Sequence, residues 1–202
     1  RVGILSSLPG MTAPGGEGGY TLLRDIHKSF DVEPIAETFQ SLPEDLDVLL
    51  IAQPPLLSPR QEWLIDQFIL RTGRAVILVD PAAKTVASTG PFNMSDAATS
   101  SSLMAWGDAW GVELSTAAVA DAASALPVPV DTGGGRIEEL AHPLFLGIPA
   151  GDMNQDDLIT ADLSRAVNFG APGAFSTEDL AATLEMTPLL STGPSPSFID
   201  AS

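Results

Sequence analysis

The residues best placed to do chemistry in this chain fall into three groups, and the first is a glycine-rich loop. Pro9 to Gly19 holds five glycines and two prolines, after the apolar run Val2 to Ser6 and before a helical stretch. A strand, loop, helix context of this kind can hold phosphate on main-chain amides. The order Gly15, Gly16, Glu17, Gly18, Gly19 lacks the G-x-G-x-x-G spacing and no lysine follows it. Glu17 would also meet a phosphate with like charge, so the loop reads as a flexible or partner-contacting segment. The second group is Gln53, followed by Pro54 and Pro55, together with Asp80. Each stands at the carboxyl end of an expected parallel strand, where open sheets collect their ligands. Pro81 equally allows Asp80 to cap a turn, and that structural use is favoured. The third is Asp152, Asn154 and Asp156, oxygens at alternate positions as in a calcium loop. Asp157 replaces the glycine that such a loop needs, and Leu163 replaces its bidentate glutamate. The set reads as a solvated acidic turn, and no metal or cofactor is expected.

Other chemistry is thinly supplied. The absence of cysteine removes thiol nucleophiles, disulfides and thiolate metal sites together. His27 falls late in an expected helix, where it suits the terminal carbonyls, and His142 precedes Pro143 in an expected turn. Neither belongs to a metal motif, and no nucleophile elbow accompanies them. Asn93-Met94-Ser95 matches a glycosylation sequon, which matters only in a secreted eukaryotic chain. A carboxylate pair such as Glu17 and Asp80 is the one enzymatic arrangement left, and it requires both groups to converge in a pocket.

The elements that must position these residues are clearest between Leu46 and Pro81. Val48 to Ile51 is an unbroken apolar run, the mark of a strand covered on both faces. Ser58 stands at an N-cap position, Pro59 at the first helical position, and Gln61 completes a capping box. Trp63, Leu64, Gln67 and Phe68, with Ile69 and Leu70, supply the apolar side of a helix that stops near Gly73. Ala75 to Val79 is a second buried strand. Two such strands joined by one helix imply a right-handed parallel crossover. Val2 to Ser6 and Val32 to Ile35 are further strands, separated by a helix through Leu22, Leu23 and Ile26. Residues 82 to 98 read as a surface excursion. Leu103, Trp106 and Trp110 recur at helical spacing, strands follow near Leu114 and Val119 to Asp121, and Leu126 to Gly135 forms a turn or hairpin. Ser176 caps a short helix through Leu184. The fold class is α/β: one domain over 1–202, with a core from 1–81 and 99–122, peripheral elements at 82–98 and 123–202, and a less regular C-terminal part.

Composition narrows the partners. With 45% apolar residues the 202-residue chain can build a substantial core. Nine basic residues against 26 acidic ones leave a formal charge of -17. A surface of that sign repels nucleic-acid backbones and anionic lipid headgroups, so neither is an expected partner. The charge fits salt adaptation first and recognition of a basic partner second. No run approaches the roughly 18 apolar residues of a membrane span. The chain opens at Arg1 without a methionine, which reads as a processed product or an excised fragment.

Leu42-Pro43-Glu44-Asp45-Leu46-Asp47-Val48-Leu49-Leu50-Ile51-Ala52, then Pro54, Leu57-Ser58, Ile65-Asp66-Gln67-Phe68 and Asp80-Pro81, resembles the soluble domain of the gliding-motility-type auxiliary proteins of ABC transport systems. Leu103, Trp110-Gly111-Val112, Val119-Ala120-Asp121, His142-Pro143 and Pro188-Leu189-Leu190-Ser191-Thr192-Gly193 extend the likeness over nearly the whole chain. The family commonly has Thr-Ser where this chain has Thr192-Gly193. The resemblance implies a parallel-sheet sandwich like the class I glutamine-amidotransferase-like or flavodoxin-like fold, without the catalytic cysteine. It implies a place on the extracytoplasmic, periplasmic face of the cytoplasmic membrane, anchored through segments that this chain does not contain. It also implies permease and ATPase subunits as partners. The expected function is a non-enzymatic accessory module of an ABC-type transport or gliding-related complex. Its contacts with protein or an unidentified ligand would use the glycine loop, Gln53 and Asp80. A hydrolase or carbohydrate-processing enzyme using carboxylates, and a small-ligand binding protein, are the alternatives.

Overall fold

Val2–Ser6 (β1) and Val48–Ala52 (β3) are unbroken apolar runs, and both become strands buried along almost their whole length. They pair in parallel with Val2 opposite Val48. Val32–Pro34 (β2) adds outside β1 and Ala75–Leu78 (β4) outside β3, giving a four-stranded parallel sheet in the order β2-β1-β3-β4. The computed structural model describes residues 1–13, 15, 20–82 and 104–200. Their contacts sort into two units, 1–80 with 104–109 and 81–82 with 110–200. The sequence reading drew one domain over the same span.

In the first unit, α1 (Thr21–Ser29) carries the chain from β1 outward to β2, and α2 (Pro59–Thr72) carries it from β3 outward to β4. The two crossovers leave the middle of the sheet in opposite directions. With both right-handed, their helices must cover opposite faces. One face packs Val2, Ile4, Leu50 and Ala52 against Leu23 and Ile26 of α1. The other face needs Gly3, because a Cβ there would come within 2.8 Å of the Leu46 side chain.

Helix α2 begins and ends as its sequence demands. Gln61 N–H donates to Ser58 Oγ and Ser58 N–H donates to Gln61 Oε1 (3.0 Å), closing the capping box. Gly73 takes the left-handed conformation (φ 65°), and its N–H donates to Ile69 O. The buried stripe differs from the expected one. Gln61, Ile65 and Phe68 face inward, while Trp63 and Leu70 are exposed. The i, i+4, i+7 spacing sets the phase of the stripe, and Trp63 sits two residues, about 200°, away from Ile65. β4 is likewise only half-buried, with Val76 and Leu78 exposed, because among the described strands it is the sheet edge.

Helix α3 (Met104–Trp110) carries Trp106, which is buried and donates its indole N–H to Glu62 O at 3.1 Å. The expected excursion at 82–98 lies, from residue 83 on, outside the described residues, as does Leu103.

The second unit is antiparallel throughout its described strands. β5 (Glu113–Leu114) pairs with β10 (Phe175–Ser176), and β6 (Ala118–Ala120) with β11 (Ser197–Ile199). β7 (Ala125–Asp131), β8 (Ile137–Ile148) and β9 (Val167–Gly170) form a three-stranded sheet. The Pro- and Gly-rich stretch is therefore a long hairpin whose first arm is itself a strand. Thr132 N–H donates across the turn to Arg136 O (2.9 Å). In that phase Pro127 and Pro129 fall where β7 turns its amide positions outward, the edge setting that proline tolerates. Two expectations are corrected here. His142 lies within β8, not in a turn, and accepts a bond from Leu144 N–H on Nδ1 (3.3 Å). The stretch after Ser176 forms turns and extended chain, not a capped helix, and Ser176 itself is the end of β10.

Val119, Leu146, Ile148 and Met153 make the core of this unit, with Leu190 packed on them. Leu190 arrives on a returning strap that bonds to residues far back in the chain. Asn154 N–H donates to Leu189 O (2.9 Å), and Ser191 N–H to Asp152 O (3.3 Å). Asp121 anchors the strap. Its carboxylate, only 4% exposed, accepts from Ala123 N–H (2.8 Å), Gly193 N–H (3.0 Å) and the Ser124 hydroxyl (3.0 Å). The Ala123 amide first, then those of Gly193 and Ser124's side chain, hold the carboxyl below its ordinary range against the opposing effect of burial.

Two outcomes are expected. Because the folded Asp121 carboxyl titrates below its ordinary value near 3.8, its contribution is complete above that value and disappears as pH falls through the depressed one. Asp121→Asn should lose about 1–3 kcal/mol at neutral pH and show a smaller loss of stability on acidification, both read by urea unfolding. Gly111 has φ 69°, and a Cβ there would lie 1.8 Å from Asp179 O. Gly111→Ala should therefore lower thermal stability by several degrees, with a cost of about 2–5 kcal/mol.

Candidate functional site

Parallel pairing brings the carboxyl ends of β1, β3 and β4 to one edge of the sheet, at Ser6, Ala52 and Leu78. The strand order reverses its winding between β1 and β3, the switch point at which open α/β sheets place a crevice. Gln53 occupies that point. Its backbone is left-handed (φ 48°), a conformation that a long side chain rarely adopts, and the residue is 5% exposed. Three main-chain and hydroxyl bonds hold it there. Its N–H donates to Leu78 O (2.8 Å), and its carbonyl accepts from Ser7 N–H (3.0 Å) and Ser7 Oγ (2.6 Å). Beside it, buried Ser6 donates its hydroxyl to Ala52 O and accepts from Leu8 N–H (3.1 Å). The edge is thus stitched from β1 through β3 to β4 by its own polar groups.

Of the residues singled out from sequence, Gln53 and Asp80 stand on this edge. Asp80 lies two residues beyond β4 and is partly buried. Gly15 is exposed with φ 64°, and a Cβ there would meet nothing within 4 Å. Gly16, Glu17, Gly18 and Gly19 lie outside the described residues, so the Glu17 and Asp80 pair has no measured separation. Pro54 and Pro55 are buried. His27 sits in the last turn of α1, toward the amino edge of the sheet, and His142 belongs to the second unit. The Ser6 and Ser7 hydroxyls direct their protons at the carbonyl oxygens of Ala52 and Gln53.

The Asp152 to Asp156 segment is built as turns. Asp152 closes a 3-10 turn over Ala150–Asp152, and Asn154 Oδ1 accepts from Asp156 N–H (2.9 Å). Among the described residues no group of three or more histidine or acidic side chains is arranged to hold a metal ion.

The opposite edge of the parallel sheet is charged. Arg1 meets Asp31 (3.2 Å), Glu33 (2.5 Å) and Asp45 (2.8 Å). The bond to Asp45 is the main cause that raises the guanidinium pKa. These pairs are largely solvated and add little to stability.

One concavity was not foreseen. In the second unit a cavity of about 660 Å³ is floored by Val119, Leu146 and Ile148 and walled by the strap around Met186 and by Phe198. A shallower one of about 360 Å³ shares Ala174, Phe175 and Phe198 with it and is bordered by Glu113. The sequence hint was the apolar pair Leu189-Leu190 within a proline-rich tail. Nothing local says that this tail returns onto β6.

A family model described as an ABC-type uncharacterized transport system matches residues 1–199, and the chain belongs to that family. It is an auxiliary component of an ABC-type transport system. No match to a curated protein or to a solved structure was found. No helix among the described residues is long and apolar enough to cross a membrane.

The stitched edge makes a measurable prediction. Ser7→Ala removes one of two donors to the Gln53 carbonyl and should cost about 1 kcal/mol in urea unfolding. Ser6→Ala removes the buried hydroxyl that donates to Ala52 O and accepts from the part-buried Leu8 N–H, and should cost more, about 1–3 kcal/mol.

Proposed function

We propose that this chain is a non-enzymatic accessory module on the extracytoplasmic, periplasmic face of an ABC-type transport or gliding-related complex, contacting protein partners or an unidentified ligand in an assembly that includes permease and ATPase subunits. The carrying observation is the family match over residues 1–199. Support also comes from the switch-point edge. Its Ser6 and Ser7 hydroxyls are bonded to carbonyl oxygens, and His27, the histidine of the same unit, sits in the last turn of α1. An acyl-transfer or hydrolytic site needs the opposite, a hydroxyl hydrogen-bonded to a base. The strand order β2-β1-β3-β4 is the order found in flavodoxin-like doubly wound sheets, and it favours the amidotransferase-like or flavodoxin-like reading of the first unit. On this reading the Gly15 to Gly19 loop and Asp80 supply the contact residues, buried Gln53 holds the strand ends in place, and a separate ATPase subunit supplies the energy.

The test is isolation of the full-length protein from its native host in mild detergent. Permease and ATPase subunits are expected to come with it, and Gly16→Asp combined with Gly18→Asp should reduce their yield severalfold. Recovery of the protein without transporter subunits in repeated preparations would count against the proposal.

A further inference from the structure

The two adjoining cavities of the second unit differ in their chemistry. The larger, about 660 Å³, falls in the roughly 300–1,000 Å³ range of pockets that enclose a small organic ligand. Its floor of Val119, Leu146 and Ile148 is apolar and buried, and no ionisable side chain lines it among the described residues. That is notable in a chain of formal charge -17. At the mouth, Phe175 and Phe198 belong to both cavities. Just beyond them the smaller cavity presents Glu113, its only ionisable residue among the described ones, on β5 opposite Ser176 of β10.

We propose that this paired groove binds an amphiphilic amine, with the apolar body in the larger chamber and the ammonium group beside Glu113. An apolar body gains from the chamber by leaving water, at roughly fourfold in affinity per methylene enclosed. A charged head inside the chamber would lose its hydration without a partner. At the mouth an ammonium meets the Glu113 carboxylate and the hydroxyls of Thr116 and Ser176, which also border that cavity. An anionic head would meet a like charge there. Glu113 is exposed, so its preference for a cation over a neutral head is modest, about two- to fivefold. Met186, partly exposed on the strap, can adapt to the width of the body. The proposal stands apart from the transporter reading, since neither uses the residues of the other.

The experiment uses the chain itself and the neutral fluorescent probe N-phenyl-1-naphthylamine, displaced by dodecylamine, dodecanol or dodecanoate below their micellar concentrations at fixed salt. The probe is expected to brighten on binding. Dodecylamine should displace it at about one third of the dodecanol concentration, and dodecanoate should be weakest. Glu113→Gln should bring the amine and alcohol together without changing the alcohol. Phe198→Ser, at an exposed residue that lines both cavities, should weaken all three while urea unfolding shows the variant folded. Absence of probe binding would overturn the proposal, as would an unchanged Phe198→Ser variant. Persistence of the amine preference in Glu113→Gln would do the same, because it would trace the preference to the general acidity of the surface.

Discussion

The first unit depends on the main chain at Gln53. A parallel sheet whose strands emerge at one edge leaves carbonyls and amides there with no further strand to pair them. In this chain a left-handed turn at Gln53 redirects the backbone so that its N–H reaches β4 and its carbonyl reaches the segment after β1. Ser6 and Ser7 add their hydroxyls to the same seam. Three strands become one joint, and the polar groups that might have served a ligand or a nucleophile are spent on the backbone. Positive φ at a glutamine is a conformational cost of the order of 1–3 kcal/mol, maintained by the bonds on both sides of it.

The second unit meets an equivalent requirement differently. Its strands are antiparallel and, apart from the β7–β8 hairpin, short, and among the described residues two of its sheets have only two strands. Such sheets cannot close a core alone. The returning strap supplies the missing layer by seating Leu190 on Val119, Leu146, Ile148 and Met153. Asp121 holds it through Gly193. A glycine there is compatible with the close approach, since a Cβ would stand 3.1 Å from the Asp121 carboxylate.

What was legible in the sequence follows the range of the interactions. The capping box at Ser58, the stop at Gly73 and the parallel pairing of the central strands rest on contacts within a few residues or on unbroken apolar runs, and each was read correctly. The buried face of α2 was misjudged because Trp63 and Leu70 raise its hydrophobicity without lying in phase with Ile65. The stretch after Ser176 looked like a capped helix because Ser176 and Asp179 mimic a local signal, while Ser176 itself pairs with β5 and Ala181 N–H donates to Trp110 O, contacts with residues far back in the chain. Asp80 and Gln53 were placed on the correct edge because strand ends are legible. The seam that joins Gln53 to Leu78 and Ser7 was not, since it requires φ 48° at a glutamine. The groove of the second unit depends on the strap folding back, a long-range event that no local pattern announces.

If the carboxyl edge is a locked structural joint, its amides must exchange as part of the core. Native-state hydrogen exchange resolved at Ser7 and Gln53 measures this directly. Protection of both amides comparable to that of Ile51 in β3 is the expected result. Exchange of Ser7 and Gln53 at the rate of an open loop, with Ile51 still protected, would show that the edge is free to open and would contradict the account.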